Sequence, residues 1–377
     1  MLRDTPGPDV TVHAAPAPAH LLPLLRLSFA AHGIFLFIAG GFALLLHGLL
    51  FLVPGMSSRS ATDVLLAIVL SALPMHLIAL VSYQFIEMVV YERPKRPTLR
   101  LCSKVLSVFW NRKTLATGLP MYVSLFCFIY VFGLMKANIT VFQPFRWDET
   151  FDRWDVFIHF GRRPWEWLQP LLGHPHVTFL VNLNYNVWFF VMMGFWVHYA
   201  FLASPGVERT RYYLSFMLVW MIGGTFFAIL FSSAGPCFYG VGRLGLSPDP
   251  YADLMAYLRS ADEVVPVWAL ATQDMLWSHR EQSSAFGGVS AMPSMHNATV
   301  LLFLLTSRGW ARWVRMLLLG HFVLVFLGSV HLAWHYAVDA YLAWAIVLVI
   351  WWATGPLARW WESRPAALAF RRALEPL

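Results

Sequence analysis

The stretch GSVHLAWHYAVDAYLAWAIVLVIWWATG, residues 328–355, joins a polar cluster to a long apolar run. Its second half carries no charged residue, and apolar segments of about 20 residues cross a bilayer as α-helices. His331, His335 and Asp339 precede that run, where lipid would begin. Ionisable side chains are costly within a membrane, and those found there usually serve a function. The stretch therefore indicates a membrane helix with a functional cluster at one end.

Composition extends this interpretation to the whole chain of 377 residues. The sequence is 58% hydrophobic and only 12% charged, whereas soluble domains carry about 25% charged residues. Eight apolar segments predict membrane spans, with six or seven as the alternatives, and they lie near 33–54, 63–90, 119–135, 177–204, 213–234, 292–307, 316–332 and 337–355. We therefore expect an all-α fold, a polytopic membrane bundle of helices.

The distribution of Lys and Arg predicts the orientation of this bundle. Seven basic residues lie in 91–113, and the connections 205–212 and 308–315 are basic as well. The alternate connections, 136–176 and 235–291, carry no basic excess. Cytoplasmic loops are enriched in Lys and Arg, so we expect both termini in the cytoplasm and the polar cluster on the periplasmic or lumenal face of an inner or plasma membrane. Because the net charge of +7 follows topology, no nucleic-acid partner is expected.

Five segments follow from these patterns. They are a loose or interfacial leader at 1–32, N-terminal transmembrane helices at 33–135 with a basic cytoplasmic loop at 91–118, an interfacial amphipathic segment at 136–176, a catalytic transmembrane core at 177–355 and a cytoplasmic tail at 356–377.

The interfacial segment 136–176 interleaves Trp and Phe with charged residues, as helices lying on a membrane surface do. We interpret it as an anchoring belt. The alternative is a wall of the active site, with Arg162 and Arg163 offered to a phosphate.

A second polar cluster opens the apolar run in GGVSAMPSMHNATVLLF, residues 287–303. The predicted topology places its His296 on the same face as His335. Residues four apart are neighbours on a helix, so His335 and Asp339 are expected on one helix face, which His331 extends by a turn. A carboxylate orients the imidazole beside it.

These residue types suit phosphoester chemistry, which needs a nucleophile, an acid and donors for the phosphoryl oxygens. We expect His335, activated by Asp339, to attack phosphorus and His296 to protonate the departing alcohol. Ser294, with backbone N–H groups at the start of its helix, would hold the phosphoryl oxygens. Gly288 would let the incoming loop approach closely.

A metal site is the rival interpretation, because His331 and His335 have the spacing of a zinc pair. The residues between them are Leu-Ala-Trp, without the glutamate of the metalloprotease motif. We therefore expect no metal and no other cofactor.

At these residues the sequence resembles the type 2 phosphatidic acid phosphatase superfamily, and within it the inositol phosphorylceramide synthase-like branch. SAMPSMHNA resembles the Pro-Ser-x-His motif of that branch and HYAVD its His-Tyr-x-x-Asp motif. SSAGPCFYG at 232–240 resembles a Gly/Ala-Pro-rich segment that follows an earlier span in that branch. The resemblance covers about 177–355. It implies a core of six transmembrane helices with the N-terminal spans added, His335 as the nucleophile, Asp339 as its partner and His296 as the general acid.

The sequence departs from the lipid phosphatases of the superfamily at two phosphate-binding positions. Their Lys-x6-Arg-Pro motif is absent, and Gly328-Ser329 replaces the Ser-Arg that precedes the nucleophile. Another cation must then neutralise the phosphoryl group, and the candidates are Arg162, Arg163, Arg243 and His331.

These departures favour a lipid phosphotransferase that moves a phospho-head group, inositol phosphate being one candidate, from a phospholipid donor to a lipid alcohol acceptor. Hydrolysis of a lipid phosphate or pyrophosphate by the same residues is the alternative. A proton-coupled transporter is the alternative of another class, but the sequence shows no internal repeat and its polar residues lie at helix ends. Loop 235–291 is long enough to form a lid that favours transfer over hydrolysis.

Overall fold

A computed structural model describes residues 21–56, 73–240, 242–278 and 288–375. Within these ranges the chain is helical and forms no strand, as predicted. The helices in chain order are α1 (Leu21–Ala31), α2 (Gly33–Leu52), α3 (Pro74–Glu92), α4 (Pro97–Trp110), α5 (Arg112–Ala137), α6 (Ile139–Phe142), α7 (Asp148–Ile158), α8 (Pro164–Leu172), α9 (Pro175–Leu202), α10 (Val207–Leu230), α11 (Ala252–Asp262), α12 (Trp268–Ser278), α13 (Met295–Thr306), α14 (Arg312–His331), α15 (Ala337–Glu362) and α16 (Pro365–Leu374).

Seven of the described helices are long and apolar enough to cross a membrane, namely α2, α3, α5, α9, α10, α14 and α15. Their lipid-facing surface is apolar, with Phe51 90% and Trp352 78% exposed. Exposing such side chains to water would cost about 25 cal/mol for each Å² of apolar area. The chain is therefore an integral membrane protein.

Seven spans agree with the predicted segments, and the eighth segment, 292–307, is different. It forms α13, whose 12 residues extend about 18 Å, short of the roughly 30 Å hydrocarbon core. Ser294 fixes the start of α13 because its Oγ accepts the backbone N–H of Asn297 at 3.4 Å. This short helix packs between α14 and α15.

The bundle is held together by pairwise helix packing. Helix α2 packs on α5, α10 on α15, α9 on α14, and α3 on α9. Large side chains that are almost fully buried fill the core, among them Tyr212, Phe216 and Phe303. Helix α16 packs on α1 at the end of the bundle where α15 finishes. The opposite end, where α15 begins, is called the histidine end below because it carries His335.

Two predicted boundaries are modified. Helix α15 continues to Glu362, so the predicted tail 356–377 begins as membrane helix. Of the predicted leader 1–32, residues 1–20 lie outside the described part and the rest is mostly α1.

The predicted interfacial segment forms α6, α7 and α8 at the histidine end. Some of its apolar side chains point outward, with Phe157 85% and Phe160 92% exposed. Three of its carboxylates, those of Asp148, Asp152 and Asp155 on α7, are buried. This arrangement places acidic groups behind the turn that carries His335.

Candidate active site

The predicted nucleophile His335 lies in a tight turn, residues 332–336, between α14 and α15. The backbone N–H groups of Trp334 and His335 both donate to the carbonyl of Ser329, at 3.0 and 2.9 Å. Ala333 in the same turn has a φ of +58°, in the left-handed region. These constraints fix the position of the imidazole.

Asp339 contacts His335, although not in the way that helical spacing predicts. Its Oδ2 lies 3.1 Å from Nδ1 of His335 and accepts the backbone N–H of Tyr336, also at 3.1 Å. Helix α15 begins only at Ala337, so the expectation that both residues share one helix face was wrong. Asp339 instead caps the first turn of α15 and reaches back to the imidazole that precedes it.

His296, the predicted general acid, lies beside His335. Their ring centroids are 6.1 Å apart. Helix α9 positions His296 by ring contacts, with Tyr185 at 4.5 Å and Trp188 at 4.1 Å between centroids. The two predicted histidine motifs therefore meet at one site.

Ser294 joins the two motifs. The side-chain amide of Asn297 donates to Ser294 Oγ at 3.0 Å and to Ser329 Oγ at 3.1 Å. The backbone N–H of Ser294 donates to the carbonyl of Asp339 at 3.1 Å. Ser294 is fully buried and is not among the residues that line the cavity described below, so its observed contacts are those of a clasp between α13, α14 and α15.

The segment 232–240 links both motifs from the other side. The N–H of Ala291 donates to the carbonyl of Ser233, and the N–H of Cys237 donates to the carbonyl of Ala333, each at 2.9 Å. The resemblance noted for this segment thus corresponds to a structural junction of the site.

Gly288 packs closely on α5, as a close approach by this loop predicts. Its φ is +95°, and a Cβ there would collide with the backbone carbonyl of Lys136. Only glycine fits this position without strain.

Lys136 is the site residue that sequence reasoning missed, because it counted Lys136 only in the charge balance of 136–176. It stands in the last turn of α5 and lines the same cavity as His296 and His335. Among the residues that the structure describes, none accepts a hydrogen bond from Lys136 or forms an ion pair with it. The sequence did carry a signal for this residue, because Lys136 is an isolated charge with 22 uncharged residues before it and nine after it.

The surroundings of His335 favour its neutral form. Burial lowers its pKa from 6.5 to about 3, and the charge of Lys136 acts in the same direction. A neutral imidazole is the form that can act as a nucleophile.

The other predicted phosphate-binding cations are engaged away from the cavity. Arg163 binds both carboxylate oxygens of Asp152 at 2.7 and 2.9 Å, and Arg243 pairs with Asp274. The guanidinium of Arg162 lies 5.1 Å from the ring centroid of a tryptophan. The structure does not bring these arginines to the histidines.

His331 is also separate from the cavity. It is the last residue of α14 and is fully buried, with its Nε2 at 2.9 Å from Thr178 Oγ1 on α9. Because α14 ends at His331, the expectation that it continues the face of His335 was wrong. Its contacts tie α14 to α9.

Two carboxylates of α7 accept hydrogen bonds around the turn 332–336, which is called the histidine turn below. Asp148 accepts the backbone N–H groups of Ala234 and Gly235, at 3.0 and 2.8 Å, and the hydroxyl of Tyr336 at 2.9 Å. Asp155 accepts the first two N–H groups of α15, at 2.8 and 3.0 Å.

Sequence reasoning placed these carboxylates in a surface belt. The spacing of Asp148, Asp152 and Asp155 puts them on one helix face and could have indicated a buried role. Burial raises the pKa of Asp155 to about 7, and the nearby Asp339 acts in the same direction.

A cavity of about 530 Å³ opens beside the histidines. Its walls come from α3, α5, α9, α10 and α12 and are mainly apolar, with Leu125 and Trp196 among the lining residues farthest along α5 and α9 from the histidine end. His296, His335 and Lys136 lie together at that end. The site therefore combines a histidine whose surroundings favour its neutral form, a carboxylate beside it, a second histidine and an apolar cavity. It also holds a lysine that has no partner among the described residues.

A family model described as the PAP2 superfamily matches residues 150–353. No curated protein and no solved structure matches the chain. The match spans more than half of the chain and includes both histidine motifs, and it supports a phosphatase- or phosphotransferase-type activity on lipid phosphates. The chain belongs to the PAP2 superfamily.

Proposed function

We propose that this protein is an integral-membrane lipid phosphotransferase that works through a phosphohistidine on His335. It moves a phospho-head group from a phospholipid to a lipid alcohol. The observation that carries this proposal is the position of His335, which lies 3.1 Å from Asp339 and lines an apolar cavity. Lys136 lines the same cavity and has no partner among the described residues.

In the first step Nε2 of His335 attacks phosphorus, because Nδ1 faces Asp339. A bond forms between nitrogen and phosphorus, and the bond between phosphorus and the oxygen of the leaving alcohol breaks. His296, which enters this step as the imidazolium, donates its extra proton to that oxygen and becomes neutral. Lys136 neutralises the phosphoryl oxygens, the role that the missing motif residues play elsewhere in the superfamily.

In the second step the acceptor alcohol gives its proton to His296, and its oxygen attacks the phosphohistidine. The nitrogen–phosphorus bond breaks and His335 is neutral again. Water at the same place would give hydrolysis, so the acceptor decides the reaction. An apolar cavity favours an alcohol with a hydrocarbon body, and the likeness to the inositol phosphorylceramide synthase-like branch supports transfer.

The distribution of basic loops supports a site on the periplasmic or lumenal face, with both termini in the cytoplasm. The donor then comes from the leaflet on that side. Inositol phosphate is one head group that the resemblance suggests.

The test uses the purified full-length protein in lipid nanodiscs, with head-group-labelled phospholipids and a mixture of lipid alcohols. We expect label on a new lipid with the wild type and with His321→Ala, but not with His335→Ala. His321 is a suitable control because it is a mostly buried histidine bonded to Asn184 and does not line the cavity.

Label released as a water-soluble phosphate would replace transfer by hydrolysis. Label that stays on every donor tested would contradict both reactions and favour the transporter. Full turnover by His335→Ala would contradict the mechanism.

A further inference from the structure

The cavity has the shape of a long slot, and it is also called the chamber below. Helix α5 lines it from Leu125 to Lys136, and α9 lines it from Tyr185 to Trp196. Eleven residues of α-helix extend about 16 Å. The hydrocarbon core of a bilayer is about 30 Å thick, so the slot is about as deep as one leaflet.

Charge and polarity are uneven along this slot. Lys136, His296 and His335 lie at the histidine end, whereas Leu125, Phe126 and Met192 line the slot farther along the helices. His76 also lines that far part, where its ring contacts Phe126 and Trp196. Filling the apolar part with water would be unfavourable in free energy, because apolar surface would then be hydrated. The slot therefore suits a molecule with a phosphate at one end and a hydrocarbon body.

Its volume limits that body. An apolar cavity of about 150 Å³ holds one benzene, a molecule of six carbons. On that scale about 530 Å³ holds roughly 20 carbon atoms. This is enough for one long acyl or alkyl chain and too little for two.

One wall of the slot comes from outside the family segment. Met75 belongs to α3, and the lining residues of α5 all precede residue 150, where the family match begins. The wall on α9 and α10, and the histidines, belong to the matched segment. The N-terminal helices thus complete a chamber that the family segment alone leaves open.

We propose that this chamber binds one hydrocarbon chain of the lipid whose phosphate reacts at His335, and that α3 and α5 set the chain length accepted. This inference rests on the proposed function for the identity of the lipid. A chain that reaches the far end of the slot holds its phosphate beside Lys136. Additional carbons find no room, and shorter chains lose apolar contact.

The first test detects chain binding without turnover. His335→Ala in nanodiscs is irradiated with a phosphatidic acid that carries a diazirine at the end of one palmitoyl chain, and the labelled peptides are mapped. We expect label on Phe126 and Met192, removed by excess unlabelled phosphatidic acid. Label confined to lipid-facing positions such as Phe190, which is 46% exposed, would overturn the proposal.

The second test measures chain-length selection. Ile129 lines the middle of the slot on α5, so Ile129→Trp obstructs it. We expect the ratio of kcat/KM for dipalmitoyl over dioctanoyl phospholipid to fall about tenfold or more. The matched control is Val123→Trp, also on α5 but 38% exposed and absent from the lining. An unchanged ratio in Ile129→Trp would overturn the proposal.

The two tests separate the chamber from the reaction. Chamber labelling without turnover of any phospholipid would contradict the proposed function and support the chamber. Turnover with label confined to lipid-facing residues would support the proposed function and contradict the chamber.

Discussion

Arg209 and Lys136 are both cations on membrane helices, and their surroundings differ: Arg209 is buried, whereas Lys136 is partly exposed. Arg209, 2% exposed, lies near the end of the bundle opposite the histidines. Its Nε and Nη2 donate to three backbone carbonyls at 2.6 to 2.9 Å, those of Thr117, Tyr199 and Ala200. Among the described residues Lys136 has no such partner, and it lines the chamber.

The contrast between these two cations therefore lies in their hydrogen-bond partners. The guanidinium of Arg209 links α5 to the end of α9 by binding main-chain oxygens. A charge taken out of water without a partner costs free energy, and a bound phosphate would offset that cost at the partly exposed Lys136. A lysine without a protein partner in an apolar site is thus suited to an anionic ligand.

Replacing Lys136 is expected to produce the largest effect. Lys136→Met should lower kcat/KM by about 10²- to 10³-fold, the usual loss when one donor to a developing negative charge is removed. The thermal midpoint should not fall, because no protein partner is lost. Turnover of labelled phospholipid and a thermal melt measure both quantities.

Lys136→Arg is the matched control, since it keeps the charge and should retain more turnover than the methionine. Wild-type turnover in Lys136→Met would show that Lys136 is not the phosphate-binding cation.

Replacing Arg209 should have the opposite pattern. Arg209→Met leaves three carbonyls without their donor and should lower the free energy of unfolding by about 3 kcal/mol. The turnover of the protein that remains folded should be unchanged. Thermal melts and turnover per folded molecule test this prediction. If Arg209→Met reduced turnover per folded molecule as much as Lys136→Met, the distinction between the two cations would fail.

A smaller effect is expected when Asp155 is replaced. It accepts two N–H groups at the start of α15, so Asp155→Asn removes a charged cap worth about 1 to 2 kcal/mol. We expect kcat to fall about tenfold with little change in KM.

The pH dependence of the rate distinguishes the charged cap formed by Asp155 from a merely structural role. The pKa of Asp155 is raised to about 7, and its ionised form accepts both N–H groups. The wild-type rate should therefore rise as pH increases through about 7, and Asp155→Asn should lack that rise. A rise that persists in the variant would contradict the assignment.

The smallest expected effect concerns the acidic limb of the profile. Because the pKa of His335 is lowered to about 3, this residue should lose activity only when pH falls through that value. Removing the charge of Lys136 lets the pKa rise, so the limb should move to higher pH in Lys136→Met. A shift below one pH unit is expected, since burial is the larger cause. An unmoved limb would mean that Lys136 does not act on His335.

The sequence predicted the membrane bundle, seven of its eight proposed spans and the superfamily, since apolar runs and short motifs are local signals. It also predicted that His335, Asp339 and His296 belong together, and the structure brings them together. Local signals marked Lys136 and Asp155 as unusual, but they could not place either residue beside His335. Lys136 and Asp155 lie far from the motifs along the chain, and only the packing of α5 and α7 places them beside His335.

The helical face predicted for His335 and Asp339 was wrong for a local reason. A spacing of four residues does not reveal whether a helix has begun, and Tyr336 is the cap that starts it. The assignment to one branch of the superfamily stays a prediction.

The chamber has one wall inside the family segment and one outside it, and Lys136, the proposed phosphate-binding cation, lies on the outside wall. A chimera could keep residues 150–353 and take its first membrane helices from another member of the superfamily. Under the proposed roles, such an exchange would replace the wall on α3 and α5 together with Lys136 and Asp148. The range of accepted lipids and the phosphate-binding cation would then change together, and turnover would persist only where the incoming helices supply an equivalent cation.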